Sequence, residues 1–80
     1  MLIEVTQEDI DHGIRNDCTE CPVALAIKRA SGNWFGVIVL VLNGICVRGR
    51  TYRTPRQVAQ FIQAYDRGES VGPITFTLED

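Results

Sequence analysis

Apolar residues recur along this chain with the spacings of helices and strands, and the pattern predicts seven elements of secondary structure. The run over residues 35–42 is rich in branched side chains and lies between turn formers, so it predicts the clearest strand. Residues 74–78 alternate apolar side chains with threonines, as a strand with one buried face does. The other predicted elements are a strand at residues 2–5, a helix at residues 7–12, a helix from Pro22 closed by Gly32, a strand at residues 45–52, and a helix that starts at Thr54-Pro55 and ends at Gly68.

Two of the predicted helix starts carry recognisable local signals. Thr6 can cap the first helix, with Asp9 in the position of a capping-box acid, and Gly13 can end it. Pro22 suits the first position of the second helix, where the missing N–H of proline costs nothing.

The order of these elements predicts the fold class. A strand, two helices, a hairpin, a helix and a final strand favour an α+β fold. We expect an antiparallel sheet of about four strands with the helices packed on one face. The 80 residues are too few for two independent cores, so residues 1–80 should form a single domain.

The hairpin register decides which residues of the central strand face the core. Asn43-Gly44 matches the two-residue turn that requires positive φ at both positions. That turn would set Leu40 opposite Val47, on a face covered by the helices. The opposite face would remain open, beside Arg48, Arg50 and Cys46. It would carry a valine stripe made of Val37, Val39 and Val41.

The valine stripe predicts self-association. Three helices, two of them short, can cover only one face of the sheet, and each valine left in water would forgo roughly 1.5 kcal/mol of burial. A second copy related by a two-fold axis is the simplest cover, so we expect a homodimer or a dimer-based oligomer. Arg48 or Arg50 could then reach acids of the other chain, such as Glu4. A host protein is the alternative occupant of this face.

Charge and length exclude several classes of protein. A formal net charge of −2 argues against general nucleic-acid binding, which needs a broadly positive surface. The chain starts without the basic and apolar segments of a signal peptide, and its longest apolar run, residues 34–42, is too short to span a bilayer. We therefore expect no membrane partner and a cytoplasmic location, in which the three cysteines stay reduced.

Four of the eight basic side chains fall within nine residues, and no acidic residue interrupts the sequence between Glu20 and Asp66. Guanidinium groups beside a helix N-terminus suit phosphates or carboxylates, and a tyrosine among them could stack on a base. The alternative interpretation is a solvated edge strand that its charges protect from aggregation. We call this stretch the arginine segment; its candidate ligand-binding residues are Arg48, Arg50, Tyr52, Arg53, Thr54 and Arg56.

The cysteines leave three interpretations open. Cys18 and Cys21 supply half of a zinc site, which His12 and Cys46 could complete, although their spacing does not require it. The same pair could act in thiol redox chemistry, or Cys21 could be a small buried hydrophobe at a helix start. Together with Cys18 or Cys21, His12 could also form a Cys–His nucleophile pair, but no oxyanion-hole motif accompanies it. We predict no catalytic residue, no cofactor and no enzymatic activity.

Two parts of the chain carry a recognisable pattern of residues. In the first part, the matching residues are His12-Gly13-Ile14-Arg15, Asp17-Cys18 and Cys21-Pro22-Val23-Ala24-Leu25-Ala26. In the second part, they are Pro55, Val58, Phe61-Ile62, Tyr65-Asp66, Gly68 and Pro73-Ile74-Thr75-Phe76. This pattern resembles that of small bacteriophage and prophage proteins, to which no reaction is assigned. The resemblance implies a setting of counter-defence, in which such proteins dock on a host protein or sequester a nucleotide signal.

The leading hypothesis is therefore a non-enzymatic, self-associating binding protein that captures an anionic ligand, such as a nucleotide-like immune signal. The anion could also be an acidic patch on a host protein. The first alternative is an inhibitor that docks on a host defence protein through the valine and arginine sheet face. The second alternative is a zinc or thiol redox protein that uses Cys18 and Cys21.

Overall fold

The computed structural model describes residues 1–32, 36–40 and 44–78. It confirms the α+β class, and the described strands pair antiparallel. The sheet differs from the predicted one, because the described strands form a two-stranded sheet and a three-stranded sheet. The elements are β1 (Leu2–Val5), α1 (Gln7–His12), α2 (Pro22–Ser31), β2 (Val37–Leu40), β3 (Gly44–Val47), β4 (Arg50–Tyr52), α3 (Arg56–Asp66) and β5 (Ile74–Thr77).

The two-stranded sheet joins the start of the chain to its last strand. β1 and β5 pair antiparallel, with Ile3 opposite Phe76, and both of these side chains are buried. The α-amino group of Met1 donates to the carbonyl of Leu78 at 2.8 Å, and the Leu78 N–H donates to the Met1 carbonyl at 2.9 Å. The predicted alternation of apolar residues and threonines in β5 thus places Phe76 in the core and the threonines in solvent.

The helix starts follow the local signals in the sequence. Thr6 and Asp9 form the predicted capping box of α1, with Thr6 Oγ1 accepting from the Asp9 N–H and the Asp9 carboxylate accepting from the Thr6 N–H. α2 begins at Pro22, and its N-cap is Cys21, whose Sγ accepts from the Ala24 N–H at 3.4 Å. Both predicted helix starts are confirmed. They could be predicted because they depend on contacts within one turn of helix.

Gly13, which ends α1 as predicted, lies against the ring of Pro22. A Cβ atom on Gly13 would come within 2.6 Å of Pro22 Cδ and 2.8 Å of Pro22 N. The φ angle of Gly13 is −67°, which any residue adopts, so the requirement for glycine is steric and not conformational.

We therefore expect Gly13→Ala to lower the free energy of unfolding by about 1–3 kcal/mol, because the proline ring cannot move aside cheaply. Gly72→Ala is the matched control, since a Cβ atom there meets nothing within 4 Å. Urea titration of both variants measures the difference. Equal stabilities of the two variants would show that the contact between Gly13 and Pro22 adjusts without loss of stability.

The end of α3 is closed by a Schellman motif. Gly68 has φ of 82°, its N–H donates to the Tyr65 carbonyl, and the Glu69 N–H donates to the Ala64 carbonyl, each at 3.0 Å. The predicted role of Gly68 at the end of this helix is confirmed.

The return strand of the hairpin is two strands, not the single strand predicted for residues 45–52. Arg48 and Gly49 separate β3 from β4, and both have positive φ, 54° and 81°. Val47 pairs with Arg50, so Arg48 and Gly49 form the kind of two-residue turn that was predicted for Asn43-Gly44. Gly44 instead lies in β3, opposite Leu40, while Asn43 is outside the described residues.

This register inverts the predicted faces of the central strand. Leu40 was expected opposite Val47, whereas Val37 takes that position, a shift of three residues. Since side chains alternate along a strand, an odd shift moves every residue to the other face. Val37 and Val39 are 1% and 4% exposed and belong to the core, whereas Ile38 and Leu40 are 38% and 41% exposed.

The prediction of an open valine stripe is therefore wrong for Val37 and Val39, and these two side chains cannot form an interface in this fold. Val41 lies outside the described residues. The core that absorbs both valines contains side chains from both sheets, α2 and α3. Across the described part of the chain, no helix combines the length and the apolar character needed to cross a membrane.

Candidate anion-binding site

The arginine segment lies along the outer strand of the three-stranded sheet. β4 is at one end of the strand order β2-β3-β4. Arg48 is in the turn before it, Arg50 is on it, and Arg53 lies between it and α3. Arg56 is the first residue of α3, and all four arginines are exposed. The fold thus keeps the predicted arginines along one edge of the molecule.

Arg48 and Arg50 were predicted to lie on the same face of one strand, but in the structure they do not. Arg48 has a left-handed backbone with φ of 54° in the turn, so the alternation of strand side chains does not apply to it. Arg50 and Tyr52 do lie on one face of β4, because they pair with Val47 and Ile45, which are both core residues.

Tyr52 has less freedom to stack on a ligand than its sequence position indicates. Its side chain is half-buried and packs against the core. The guanidinium carbon of Arg50 lies 5.8 Å from the centre of its ring. A base that approached this edge would therefore meet the guanidinium plane of Arg50, which can stack as the tyrosine was expected to.

Thr54 is used by the fold. Its hydroxyl donates to the carbonyl of Leu40 at 3.0 Å and so links the segment after β4 to the end of β2. A hydroxyl group has one proton to donate, and an anion needs donors. The predicted contact of Thr54 with the ligand is therefore not available while this hydrogen bond is present.

Six of the eight basic side chains fall into two groups by their partners. Arg29, Lys28 and Arg67 each pair with a carboxylate, those of Asp9, Glu20 and Glu69 respectively. In contrast, Arg48, Arg53 and Arg56 form no ion pair within the described ranges. Hence three of the four guanidinium groups of the arginine segment carry a charge that no described carboxylate neutralises.

The ends of α3 carry charges that oppose its dipole. The N-cap of this helix is Pro55, which makes no side-chain capping bond, and the first turn of α3 contains Arg56 and no acidic residue. The last turn contains Asp66 and no basic residue. A charge of the wrong sign at a helix end costs about 0.3–1 kcal/mol, so helix stability does not explain the position of Arg56.

Cys18 and Cys21 line a cavity of about 260 Å³, together with Asp17, Leu40 and Asp66. Cys18 is exposed, whereas Cys21 is buried and caps α2 through its sulfur atom. Burial raises the pKa of the Cys21 thiol, which disfavours the thiolate that redox exchange requires. This arrangement matches the interpretation of Cys21 as a small buried residue at a helix start.

The weak metal candidates are not assembled into a site. His12 is exposed at the end of α1, and Cys46 is half-buried on β3. Within residues 1–32, 36–40 and 44–78, no three His, Cys, Asp or Glu side chains form a group that could hold a metal ion.

A further cavity was not predicted from the sequence. It measures about 760 Å³ and lies between α1, the segment after it, the end of α3 and residues 68–71. Tyr65 lines this cavity, and its hydroxyl lies 2.8 Å from the Gly13 carbonyl and 3.1 Å from the Ile10 carbonyl, so it can donate its one proton to either of them. Its lining mixes both charges, including Asp11, Arg15 and Glu69, so it lacks the single sign of the arginine segment. These residues come from separate parts of the sequence, and no local motif marks them.

Comparison with protein-family models, curated proteins and solved structures finds no match to this chain.

Proposed function

We propose that this protein is a non-enzymatic binding protein that captures an anionic ligand at the arginine segment. The observation that carries the proposal is the set of four exposed arginines around one edge strand. Three of them, Arg48, Arg53 and Arg56, have no carboxylate partner in the part of the chain that the structure describes. Such cations attract an anion without first breaking an ion pair.

Arg56 lies at the positive end of the α3 dipole, where a positive charge is unfavourable. This position supports ligand binding as the reason for its charge. Arg56 destabilises the start of α3 in the free protein. An anion bound there would neutralise the guanidinium charge and also accept from the first N–H groups of the helix. The same position that costs stability in the free protein would thus strengthen ligand binding.

Phosphate is the anion that fits this edge best. The planar guanidinium group donates two parallel hydrogen bonds to phosphate oxygens, and its flat face can stack on a base. A nucleotide offers both groups. The resemblance to phage proteins adds the setting of a bacterial cytosol, with a nucleotide-like signal of host defence as the specific ligand and its sequestration as the function.

Thermal melting with inorganic phosphate, mononucleotides and cyclic dinucleotides tests the proposal. A ligand present at ~100 times its Kd should add ~2.7 kcal/mol to the free energy of unfolding. If the melting temperature does not change with any member of the panel, the proposal is wrong. An acidic patch on a host protein is a different ligand for the same arginines, and a nucleotide-binding result would exclude it as the primary one.

Arg56→Glu tests separately the effect of Arg56 on stability and its role in ligand binding. We expect the variant to gain about 0.5–1 kcal/mol of stability without ligand, because an acid replaces a base at the positive end of α3. We also expect it to lose at least tenfold in affinity for the nucleotide that binds wild type, measured by calorimetry. Arg15→Gln is the matched control, since Arg15 is exposed at the opposite end of α3, near Gly68. Unchanged affinity in Arg56→Glu would remove Arg56 from the site.

Docking on a host protein through the valine stripe is not proposed, because Val37 and Val39 are buried. The sheet does expose other apolar residues, and their surroundings point to a specific partner.

A further inference from the structure

The three-stranded sheet has one face that the rest of the described chain leaves open. Ile38, Cys46 and Thr51 form a row across β2, β3 and β4, and Leu40 lies beside this row. We call these four residues the open face. Ile38 and Leu40 are among the large exposed hydrophobic residues, whereas the opposite face of the same sheet contributes Val37, Val39, Ile45 and Val47 to the core.

The two edges of the open face carry opposite charges. Along β2, the carbonyl of Cys18 accepts from the Val39 N–H at 2.8 Å. This bond holds the loop between α1 and α2 against the strand. Asp17 and Asp66 line the cavity there with Leu40. The Asp66 carboxylate is fixed by the Asn16 N–H at 2.9 Å. This side is the acidic edge.

Along β4, the two ends of the strand are marked by arginines. Arg48 lies in the turn before it and Arg53 directly follows it, and neither forms an ion pair with any described residue. This side is the basic edge. The apolar open face therefore lies between an acidic edge and a basic edge.

From this arrangement we infer that a second copy of this chain covers the open face, around a two-fold axis that lies between the sheets and runs parallel to the strands. Rotation about that axis places the basic edge of each copy opposite the acidic edge of the other, so the favourable contact occurs twice. An axis perpendicular to the strands would place arginine over arginine. The charges thus select one of the two ways in which the sheets can pack face to face with aligned strands.

The position of Cys46 makes this geometry testable. β3 is the middle strand of the sheet, so its outward residue lies close to the two-fold axis. The Cys46 thiols of the two copies should therefore approach each other, whereas the Cys18 thiols lie on opposite outer edges. The dimer and anion capture share Arg48 and Arg53, whereas Arg56 lies outside the open face and tests anion capture alone.

Sedimentation equilibrium at micromolar concentration gives the first test. We expect twice the 8.9 kDa mass of the chain. Leu40→Asp should return the mass to that of the monomer, with the fold retained because Leu40 is already exposed. Leu2→Asp is the control, since Leu2 is 60% exposed on the other sheet, and it should leave the dimer intact. A monomeric wild type, or a dimer that Leu2→Asp disrupts and Leu40→Asp does not, would overturn the inference.

Oxidative crosslinking gives the second test and does not require a disrupted interface. With copper–phenanthroline as the oxidant, two Cys46 thiols lose two electrons and two protons to form one disulfide. Wild type and Cys18→Ser should then give a covalent dimer on a non-reducing gel, and Cys46→Ser should not. Crosslinking that requires Cys18 would place the interface elsewhere.

Discussion

Replacing Arg29 with Met is expected to lower the free energy of unfolding at neutral pH by about 2 kcal/mol. Arg29 donates to both carboxylate oxygens of Asp9, at 2.7 and 2.9 Å, and to the Glu4 carbonyl at 2.8 Å. Asp9 is buried, so the variant would retain a carboxylate without its charge partner. Loss of one member of a fully buried pair costs about 3–5 kcal/mol, and the half exposure of Arg29 reduces the value expected here.

The pH dependence of this variant follows from the pKa of Asp9. Burial acts to raise that pKa, but the hydrogen bonds from Arg29 and from Thr6 outweigh it, so the pKa lies below its ordinary value of 3.8. A lowered pKa gives stability that is present above the unfolded value and is lost as the pH falls through the folded one. The difference between wild type and variant should therefore shrink as the pH falls below about 4.

Arg67→Met is the matched control for Arg29→Met. Its Nε is 2.6 Å from the Glu69 carboxylate, but both side chains are exposed. Exposed pairs contribute about 0–1 kcal/mol. Urea titrations of both variants at several pH values measure the contrast. Equal and small losses would show that Asp9 is solvated without Arg29.

The second large effect is expected at Gly44, where Ala should cost about 3 kcal/mol or more. Gly44 has φ of 104°, and a Cβ atom there would lie 2.6 Å from the carbonyl oxygen of Tyr52. The substitution adds backbone strain of about 1–3 kcal/mol to a clash with a neighbouring strand that cannot rotate away. Gly49→Ala is the control, because it has φ of 81° but nothing within 4 Å.

The comparison of these two glycines also tests the register of the hairpin. Gly49→Ala should show the conformational cost alone, near 1 kcal/mol. If Gly44→Ala were no worse than Gly49→Ala, Gly44 would not lie against β4, and the turn expected from the sequence at Asn43-Gly44 would regain support. Thermal denaturation of both variants is sufficient for this measurement.

The helix boundaries could be predicted from the sequence because their determinants are local. The capping box of Thr6 and Asp9, the proline at the start of α2 and the glycines after α2 and α3 act within a few residues. The interactions that decide these positions can therefore be recognised without knowing the rest of the fold.

The strand register could not be predicted, because two dipeptides offered the same turn. Asn43-Gly44 and Arg48-Gly49 both contain a glycine that tolerates positive φ, and the sequence favoured the first. The structure uses the second, where Arg48 adopts φ of 54°. The close approach of Gly44 to Tyr52, which fits only a residue without a side chain, is a contact between strands and leaves no local signal.

The candidate site shows the same division. The arginines are neighbours in sequence, so their common edge could be predicted. The hydrogen bond from Thr54 to Leu40 and the packing of Arg50 over Tyr52 depend on tertiary structure. Both change which groups remain for a ligand, and neither has a signature in the spacing of residues.

The pairing of β1 with β5 has a consequence for synthesis on the ribosome. β1 is made well before its hydrogen-bonding partner, Ile74–Thr77, because the other elements lie between them in the sequence. At usual elongation rates, Ile3 and Val5 would wait on the order of 10 s for that strand. β1 therefore lacks its partner strand during that interval, and the nascent chain should depend on chaperones until residues 74–77 are available.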